Sequence, residues 1–565
     1  MTEMNAWEAI AKSLKEEGSK YIFGIPGVSQ LFDPSILEPE IKPILTRHEA
    51  SGVFMAMAYA RLTGEPGICH GVRGPGVANM VPGILEAYTG CMPVIAPCPH
   101  CEETTEFMGG LLDFKQVETF APITKWSVRI SMPEKTPWVM RRAFSLAVNG
   151  RPGPVFIEVP LDVGSKKVEM VDYVRSRRPL RSRGDPDDIN EAVNLLLKAE
   201  RPVVVAGGGV VLSKACNELI QLAEMLAMPV LTTASGRGVI PEDHPLACGL
   251  VGIYRTKIGK AVYDEADILL TVGSELEGLE SGCFNYFPKE AKFIQVNIDP
   301  FSIGRNFIPD VPIVGDAKLV LRDLIEGVKE RVRKEKLESM PRIKGLVKAK
   351  KEYEAAIEAE CMTATVRTKR VVRTLSKVFG KDTILSNENG AQDLWSYYFP
   401  YYKVLNIGDC MGMPNQTCMG LGVVSAIAAK IVRPDKKVVC TTGDGAFQMF
   451  MKELPTAVQY HAPVTYAIMN NFCLEWPKFG AKAAGIERAY LDFEVQPDFA
   501  KIAEANKCYG ERIDRAEDIE PAIRNALKAN EEGAPAVLDF ILSQPFDYNE
   551  YFIEWGKNYR APTLP

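Results

Sequence analysis

In the C-terminal third of this chain, a carboxylate and an amide stand at the ends of two apolar runs. The run VVCTT leads into the tight turn Gly443-Asp444-Gly445-Ala446-Phe447. A helix-like stretch follows, and a second run, VTYAIM, delivers Asn470 and Asn471. As neighbouring strands of a parallel sheet, these runs would release Asp444 and Asn471 on the same rim. A carboxylate and an amide oxygen are hard ligands of the kind Mg²⁺ or Ca²⁺ prefers. Gly443 and Gly445 let the backbone approach a bulky anion, and the helix start offers free N–H groups to it. The spacing therefore predicts a divalent cation holding a diphosphate at the edge of an α/β sheet. GDG alone is a common glycine turn; the specific signal is the order turn, helix, strand, Asn-Asn.

These residues need a scaffold, and the totals bound it. A chain of 565 residues has about three domains as its prior. An apolar content of 46% with 24% charged residues is that of a globular protein. The net charge of −6 gives no electrostatic case for nucleic acid. The first 18 residues read as an amphipathic helix rather than a signal peptide, and no apolar run reaches a membrane span. The thirteen cysteines are expected to be reduced thiols in a cytoplasmic protein. Cys98 and Cys101 form one CPHC pair, but no second pair with zinc-ligand spacing accompanies it.

Apolar runs alternating with helical patterns divide the chain into α/β units over 1–175, 187–328 and 361–545. A charged stretch over 329–360, read as a solvated helix broken at Pro341, joins the last two, and an aromatic tail covers 546–565. The first unit offers YIFGIP, KPILT, PGICHGV, MPVIAPCP and GPVFIEVP as strands, with a helix opening at Glu49 and a glycine loop at Arg73-Gly74-Pro75-Gly76. Glu49 sits among small and apolar residues, so it reads either as a helix-start acid or as a buried carboxyl needing a partner. In the second unit RPVVVAGGG, ADILLTVGSE and KFIQVNIDP are strand-and-turn pieces, and Gly207-Gly208-Gly209 is a weak phosphate-loop candidate. The third offers DTILSN, KVLNIG, KVVCTT, VTYAIMNN and APAVLDFIL. The expected fold is α/β, with three consecutive doubly wound parallel-sheet domains, the first and third being distant structural duplicates.

Taken together, FGIPG, RHEASG, RGPGVAN, ITKW, GRPGPVFIEVP, RPVVVAGGG, IDP, MGLG and GDGAF…NN span nearly the whole chain. In this order they resemble the thiamine diphosphate enzymes of the acetolactate synthase and 2-oxo acid decarboxylase branch. The resemblance implies pyrimidine-binding, central and diphosphate-binding domains in that order, with thiamine diphosphate and Mg²⁺ as cofactors. It places the catalytic carboxyl on Glu49, where it would favour the imino tautomer of the coenzyme's aminopyrimidine. The ylid formed at thiazolium C2 attacks a 2-oxo acid, and loss of CO₂ leaves an enamine for an acceptor. Asp444, Asn471 and the main-chain oxygen of Cys473 match the metal ligands. Pro26, Gly27, Asn389, Gly390, Gln392, Gly443, Gly445, Ala446 and Leu474 match coenzyme contacts. Thr417 supplies the carbonyl facing the 4′-amino group, and Met419 props the coenzyme. In such enzymes the first domain of one subunit meets the third domain of its partner. A homodimer or a dimer of dimers is therefore implied, with no nucleic acid or membrane partner.

The acceptor decides the reaction. A second 2-oxo acid gives acetolactate synthase-like carboligation. A proton gives simple decarboxylation, and a 2-hydroxyacyl-CoA or acyloin lyase is the third course. A non-catalytic coenzyme-binding subunit is the remote alternative, against which Glu49 and the metal ligands stand intact. His70, just before the RGPG loop, reads equally as a proton-transfer group or as a packed strand-end histidine. A glutamine of the synthases falls on Leu112, and Trp476 comes too early after the Asn-Asn pair. Val28, Ser29, Leu112 and Trp476 are the positions expected to choose the substrate. Acids at Glu275 and Glu277 disfavour the diphosphate of FAD, so no flavin is expected.

Overall fold

Three six-stranded sheets, every neighbouring pair parallel, form the framework of the computed structural model. It describes the chain except residues 1, 28, 38, 177–178, 332–336, 338–339, 413–415, 487–489 and 559–565. Two compact units emerge: Met1–Leu180 with Pro414–Val432 and Pro455–Tyr460, and the remainder of the chain.

In the first unit the sheet runs Lys42–Leu45, Tyr21–Gly24, Gly67–His70, Val94–His100, Val155–Pro160, Trp126–Arg129 from edge to edge. The chain reverses its strand order between Tyr21–Gly24 and Gly67–His70, the place where doubly wound sheets open a crevice for ligands. The helix Glu49–Thr63 lies across this point and is buried on all sides from Glu49 to Arg61, as its uniformly small and apolar sequence requires. Glycine lets it lie so close: a Cβ on Gly52 would stand 2.8 Å from the Gly24 Cα. Its other side packs on the helix Leu421–Val432, which is equally apolar. Gly64 ends the helix in the left-handed conformation, with φ 75°.

The second unit holds two sheets. One runs Ala247–Leu250, Val230–Thr232, Pro202–Ala206, Ile268–Val272, Lys292–Asn297, Val311–Val314. The other runs Cys410–Met411, Thr383–Asn387, Lys437–Gly443, Thr465–Asn470, Ala536–Ile541, Tyr509–Ile513. This last sheet repeats the strand order of the first unit's sheet, which accounts for the expected likeness of the chain's two ends. The fully buried Arg237 ties the two sheets together. It binds Glu242 through two nitrogens, at 2.8 and 2.9 Å, and donates to the carbonyls of Ser396 and Tyr402.

Two expectations are corrected. Pro341 does not break the linking helix but opens it, at the position where a missing N–H costs nothing; the helix runs Pro341–Cys361. KVLNIG is not a strand; the edge strand is the two-residue Cys410–Met411 that follows it. The aromatic tail carries a helix, Glu550–Asn558, and buries Phe546, Tyr551 and Phe552. Among the described residues no helix is long and apolar enough to cross a membrane.

Candidate active site

In the first unit the side chains of interest collect at the strand ends around the topological reversal. Glu49 is the first residue of its helix, 7% exposed, and its Oε2 accepts from Asn79 Nδ2 at 3.1 Å. Its other oxygen lies flush with the glycine loop: a Cβ on Gly76 would be 2.5 Å from Glu49 Oε1. Among the described residues the buried carboxyl therefore has one amide partner, and its other oxygen has room because Gly76 carries no side chain. Asn79, which positions it, carried no signal in the sequence beyond its place at the end of RGPGVAN.

His70 is fully buried. Nδ1 meets the Pro97 carbonyl at 2.6 Å, and Nε2 meets Ser29 Oγ at 2.7 Å. Burial pulls its pKa down from 6.5 to about 4, so the ring is neutral, donating at Nδ1 and accepting the serine hydroxyl at Nε2. Both ring nitrogens are thus engaged. Leu112 has the left-handed φ of 67° and presses on the glycine loop, its Cβ 2.8 Å from where a Gly74 Cβ would stand. Beside it, Gln116 Oε1 accepts from Gly74 N at 3.2 Å and Nε2 donates to Glu158 at 3.0 Å, a buried brace that sequence reading missed. Pro26 is exposed and Gly27 half-buried on the loop after Tyr21–Gly24. Val28 lies outside the described residues.

Thr417 and Met419 are also in this unit, half-buried on the segment before the helix Leu421–Val432. Thr417 holds a left-handed φ of 51°, an outlier for a β-branched residue. The buried Glu86 anchors this turn, accepting from Cys418 N at 2.6 Å, and burial raises its pKa.

A second cluster occupies the equivalent reversal of the third sheet, in the second unit. Asp444 is 2% exposed. Its Oδ1 accepts from Gly445 N at 3.0 Å; its Oδ2 accepts from Phe472 N at 2.9 Å and Gln496 Nε2 at 2.6 Å. All these donors are neutral, and burial pushes the carboxyl pKa up to about 7. Asp444 and Asn471 are thereby brought to one rim, with Phe472 between Asn471 and Cys473 held at the left-handed φ of 62°. Gln392, 2% exposed, donates to the Glu388 carbonyl at 2.8 Å and lies against Gly390 and Gly443; its Oε1 would be 3.3 Å from a Gly443 Cβ. Asn389 donates its N–H to Glu388 Oε1 at 3.0 Å. Ala446 is buried in the first turn after Gly445, and Leu474 N donates to the Leu491 carbonyl at 2.9 Å.

Trp476 takes a different course. Its ring meets Phe552 edge-on at 4.7 Å and Trp555 at 6.1 Å, so it packs on the C-terminal helix. Gln496 and Glu475, which touch Asp444 and Asn471, were not foreseen; both lie in the stretch after Asn-Asn, where no periodic pattern guides a reading.

Outside these clusters, the glycine run of the central sheet spends its N–H groups on the neighbouring strand. Gly207 N donates to the Val272 carbonyl and Gly209 N to the Gly273 carbonyl, at 2.9 and 3.0 Å. A close backbone approach explains those glycines without a phosphate. The CPHC pair separates: Cys98 Sγ lies by Met80 Sδ at 3.7 Å, while Cys101 Sγ lies 3.2 Å from His100 Nδ1. All thirteen cysteines are free thiols.

Comparison with known proteins agrees with this arrangement along the chain. Family profiles described as the N-terminal thiamine pyrophosphate-binding, central and C-terminal thiamine pyrophosphate-binding domains match residues 4–112, 189–324 and 389–540. The chain is 35% identical over 557 residues to the probable acetolactate synthase large subunit of Methanocaldococcus jannaschii, covering 95% of this chain and 92% of that one. It is 33% identical over 566 residues to the probable acetolactate synthase large subunit of Methanococcus aeolicus, covering 95% and 92%. It is 32% identical over 563 residues to the acetolactate synthase large subunit of Corynebacterium glutamicum, covering 96% and 87%. This chain belongs to the thiamine pyrophosphate enzyme family.

As a thiamine pyrophosphate enzyme it makes or breaks carbon–carbon bonds with that coenzyme. The residues present suit a cation and a diphosphate. A buried carboxyl whose partners are all neutral, beside an amide, is a donor set that a divalent cation completes, and glycine clears the backbone around it.

Proposed function

We propose that this enzyme is an acetolactate synthase-like carboligase, decarboxylating pyruvate or a close 2-oxo acid and passing the two-carbon unit to a second 2-oxo acid. The observation that carries the proposal is similarity along nearly the whole chain to proteins named as acetolactate synthase large subunits. The geometry of the two clusters supports it.

Asp444, Asn471 and the Cys473 carbonyl would hold Mg²⁺, and Gly445, Ala446 and Gln392 would hold the diphosphate. Pro26, Gly27, Asn389, Gly390, Gly443 and Leu474 line the coenzyme, with the Thr417 carbonyl and Met419 as its prop. Bound thiamine diphosphate supplies the carbon nucleophile and the electron sink for CO₂ loss. Glu49 would hold the proton shared with the coenzyme's pyrimidine nitrogen, its carboxyl aimed by Asn79 and given room by Gly76. The pyrimidine-binding domain of one subunit, residues 1–175, is completed by the diphosphate-binding domain of its partner, residues 361–545.

His70 bears on the acceptor. A simple decarboxylase must deliver a proton in place of an acceptor molecule, and His70 has both nitrogens engaged and stays neutral to about pH 4. That favours carboligation over aldehyde release. The test is product analysis with pyruvate, thiamine diphosphate and Mg²⁺. The expected product is an acetohydroxy acid, one per two pyruvates. Free acetaldehyde with stoichiometric CO₂ would overturn the carboligase reading in favour of the decarboxylase.

A further inference from the structure

Between Asn471 and the C-terminal segment stands Glu475, the first residue of the helix Glu475–Ala483. Its Oε2 accepts from Asn471 Nδ2 at 2.6 Å and from the Cys473 thiol at 3.0 Å. Its Oε1 accepts from the Tyr548 hydroxyl. A carboxylate only accepts, whereas a primary amide has a donating and an accepting side. Glu475 therefore compels Asn471 to turn its nitrogen inward, and the amide oxygen is left on the opposite side. Among the described residues no protein donor reaches Asn471 Oδ1.

The support continues into the chain's end. Gln544 Nε2 donates to the Asn471 carbonyl at 3.3 Å, so the same residue is held through its main chain. Tyr548, which grips Glu475, packs on Phe479 at 5.0 Å and on Phe552 of the C-terminal helix at 5.7 Å. One carboxylate thus connects the amide at the sheet rim to an aromatic cluster to which the C-terminal segment contributes Tyr548, Phe552 and Trp555.

We infer that Glu475 is a positioning residue that presents the Asn471 amide oxygen to the divalent cation, and that Tyr548 couples cation affinity to docking of the C-terminal helix. The inference rests on the reading of Asp444 and Asn471 as cation ligands. By linkage the coupling runs both ways: a cation that selects this amide orientation also stabilises the docked helix. Residues that orient a metal ligand commonly change metal affinity by about 10–100-fold when removed.

The test is calorimetric titration of Mg²⁺ into the full-length protein loaded with thiamine diphosphate. Glu475→Ala is expected to weaken Mg²⁺ binding by about 10–100-fold, and Glu475→Gln to restore part of the loss, because its amide oxygen still accepts from Asn471. Tyr548→Phe is expected to weaken Mg²⁺ binding by less. Limited proteolysis supplies a second readout: Mg²⁺ should protect the C-terminal helix in the wild type and protect it less in Tyr548→Phe. Asp444→Ala separates the levels. Wild-type affinity in Glu475→Ala with binding lost in Asp444→Ala overturns the role of Glu475 and leaves the proposed function standing. Wild-type affinity in Asp444→Ala overturns the cation assignment itself. If Glu475→Ala does not fold, Glu475→Gln and Tyr548→Phe decide: unchanged affinity and unchanged protection in both refute the coupling.

Discussion

Asp444 and His70 are both buried titratable groups at strand ends, and their partners give them opposite roles. Among the described residues only neutral donors reach Asp444, and the proposed cation would supply the missing counter-charge. Asp444→Ala is expected to weaken Mg²⁺ and thiamine diphosphate binding together, by more than the roughly 10–100-fold typical of supporting residues; calorimetry showing coenzyme binding untouched would contradict this. His70 is satisfied by Ser29 and Pro97 and needs nothing further. Its pKa is about 4 folded and near 6.5 unfolded, so the unfolded chain takes up the proton first as pH falls. The neutral ring's contribution is fully present above pH 6.5 and is lost between 6.5 and about 4, about 3 kcal/mol in all. The wild type should lose thermal stability across that window more steeply than His70→Gln; parallel curves would contradict the assignment. Asp444 and Asn471 stood out because their neighbours form a fixed order of turn, helix and strand, whereas Glu49 stood out only through the family resemblance. Asn79, Gln116, Glu475 and Gln496 did not, since each acts through contacts made by distant segments that no local pattern encodes.

The elements that carry these residues follow from local sequence where the apolar runs are long. Lys437–Gly443 and Thr465–Asn470 were plain in VVCTT and VTYAIM, as was the helix opening at Glu49. Several short strands were not. Trp126–Arg129 and Tyr509–Ile513 were missed, as were Val230–Thr232, Ala247–Leu250 and Val311–Val314 in the central sheet. Runs this short carry little pattern of their own, so pairing to a neighbour rather than their own composition makes them strands. The helix Glu49–Thr63 depends on close approach at Gly52, where a Cβ would meet the backbone of Gly24 and Phe23 at 2.8 and 3.0 Å. Gly52→Val should therefore cost about 1–3 kcal/mol through overpacking and shift Glu49 with its helix. Denaturant unfolding would show the lowered midpoint; an unchanged midpoint would mean that the helix sits farther from the sheet.

Across the whole molecule, the two sheets that carry the clusters share one strand order, and each gathers its candidate residues at strand ends by the reversal. The three-domain plan was legible from alternating strand and helix patterns, whereas the acceptor of the reaction was not, because the loops expected to bear on it, around Leu112 and after Asn471, carry no periodic pattern. The pairing of subunits proposed here predicts that specific activity falls on dilution in step with dissociation measured by sedimentation. Activity retained by isolated monomers would exclude a shared site. The most direct measurement of the central claim is hydrogen–deuterium exchange at C2 of bound thiamine diphosphate with Mg²⁺ present, comparing the wild type with Glu49→Gln. The account predicts that the variant still binds the coenzyme but exchanges on the order of 10²–10⁴-fold more slowly. Equal exchange rates with the coenzyme bound in both would contradict it.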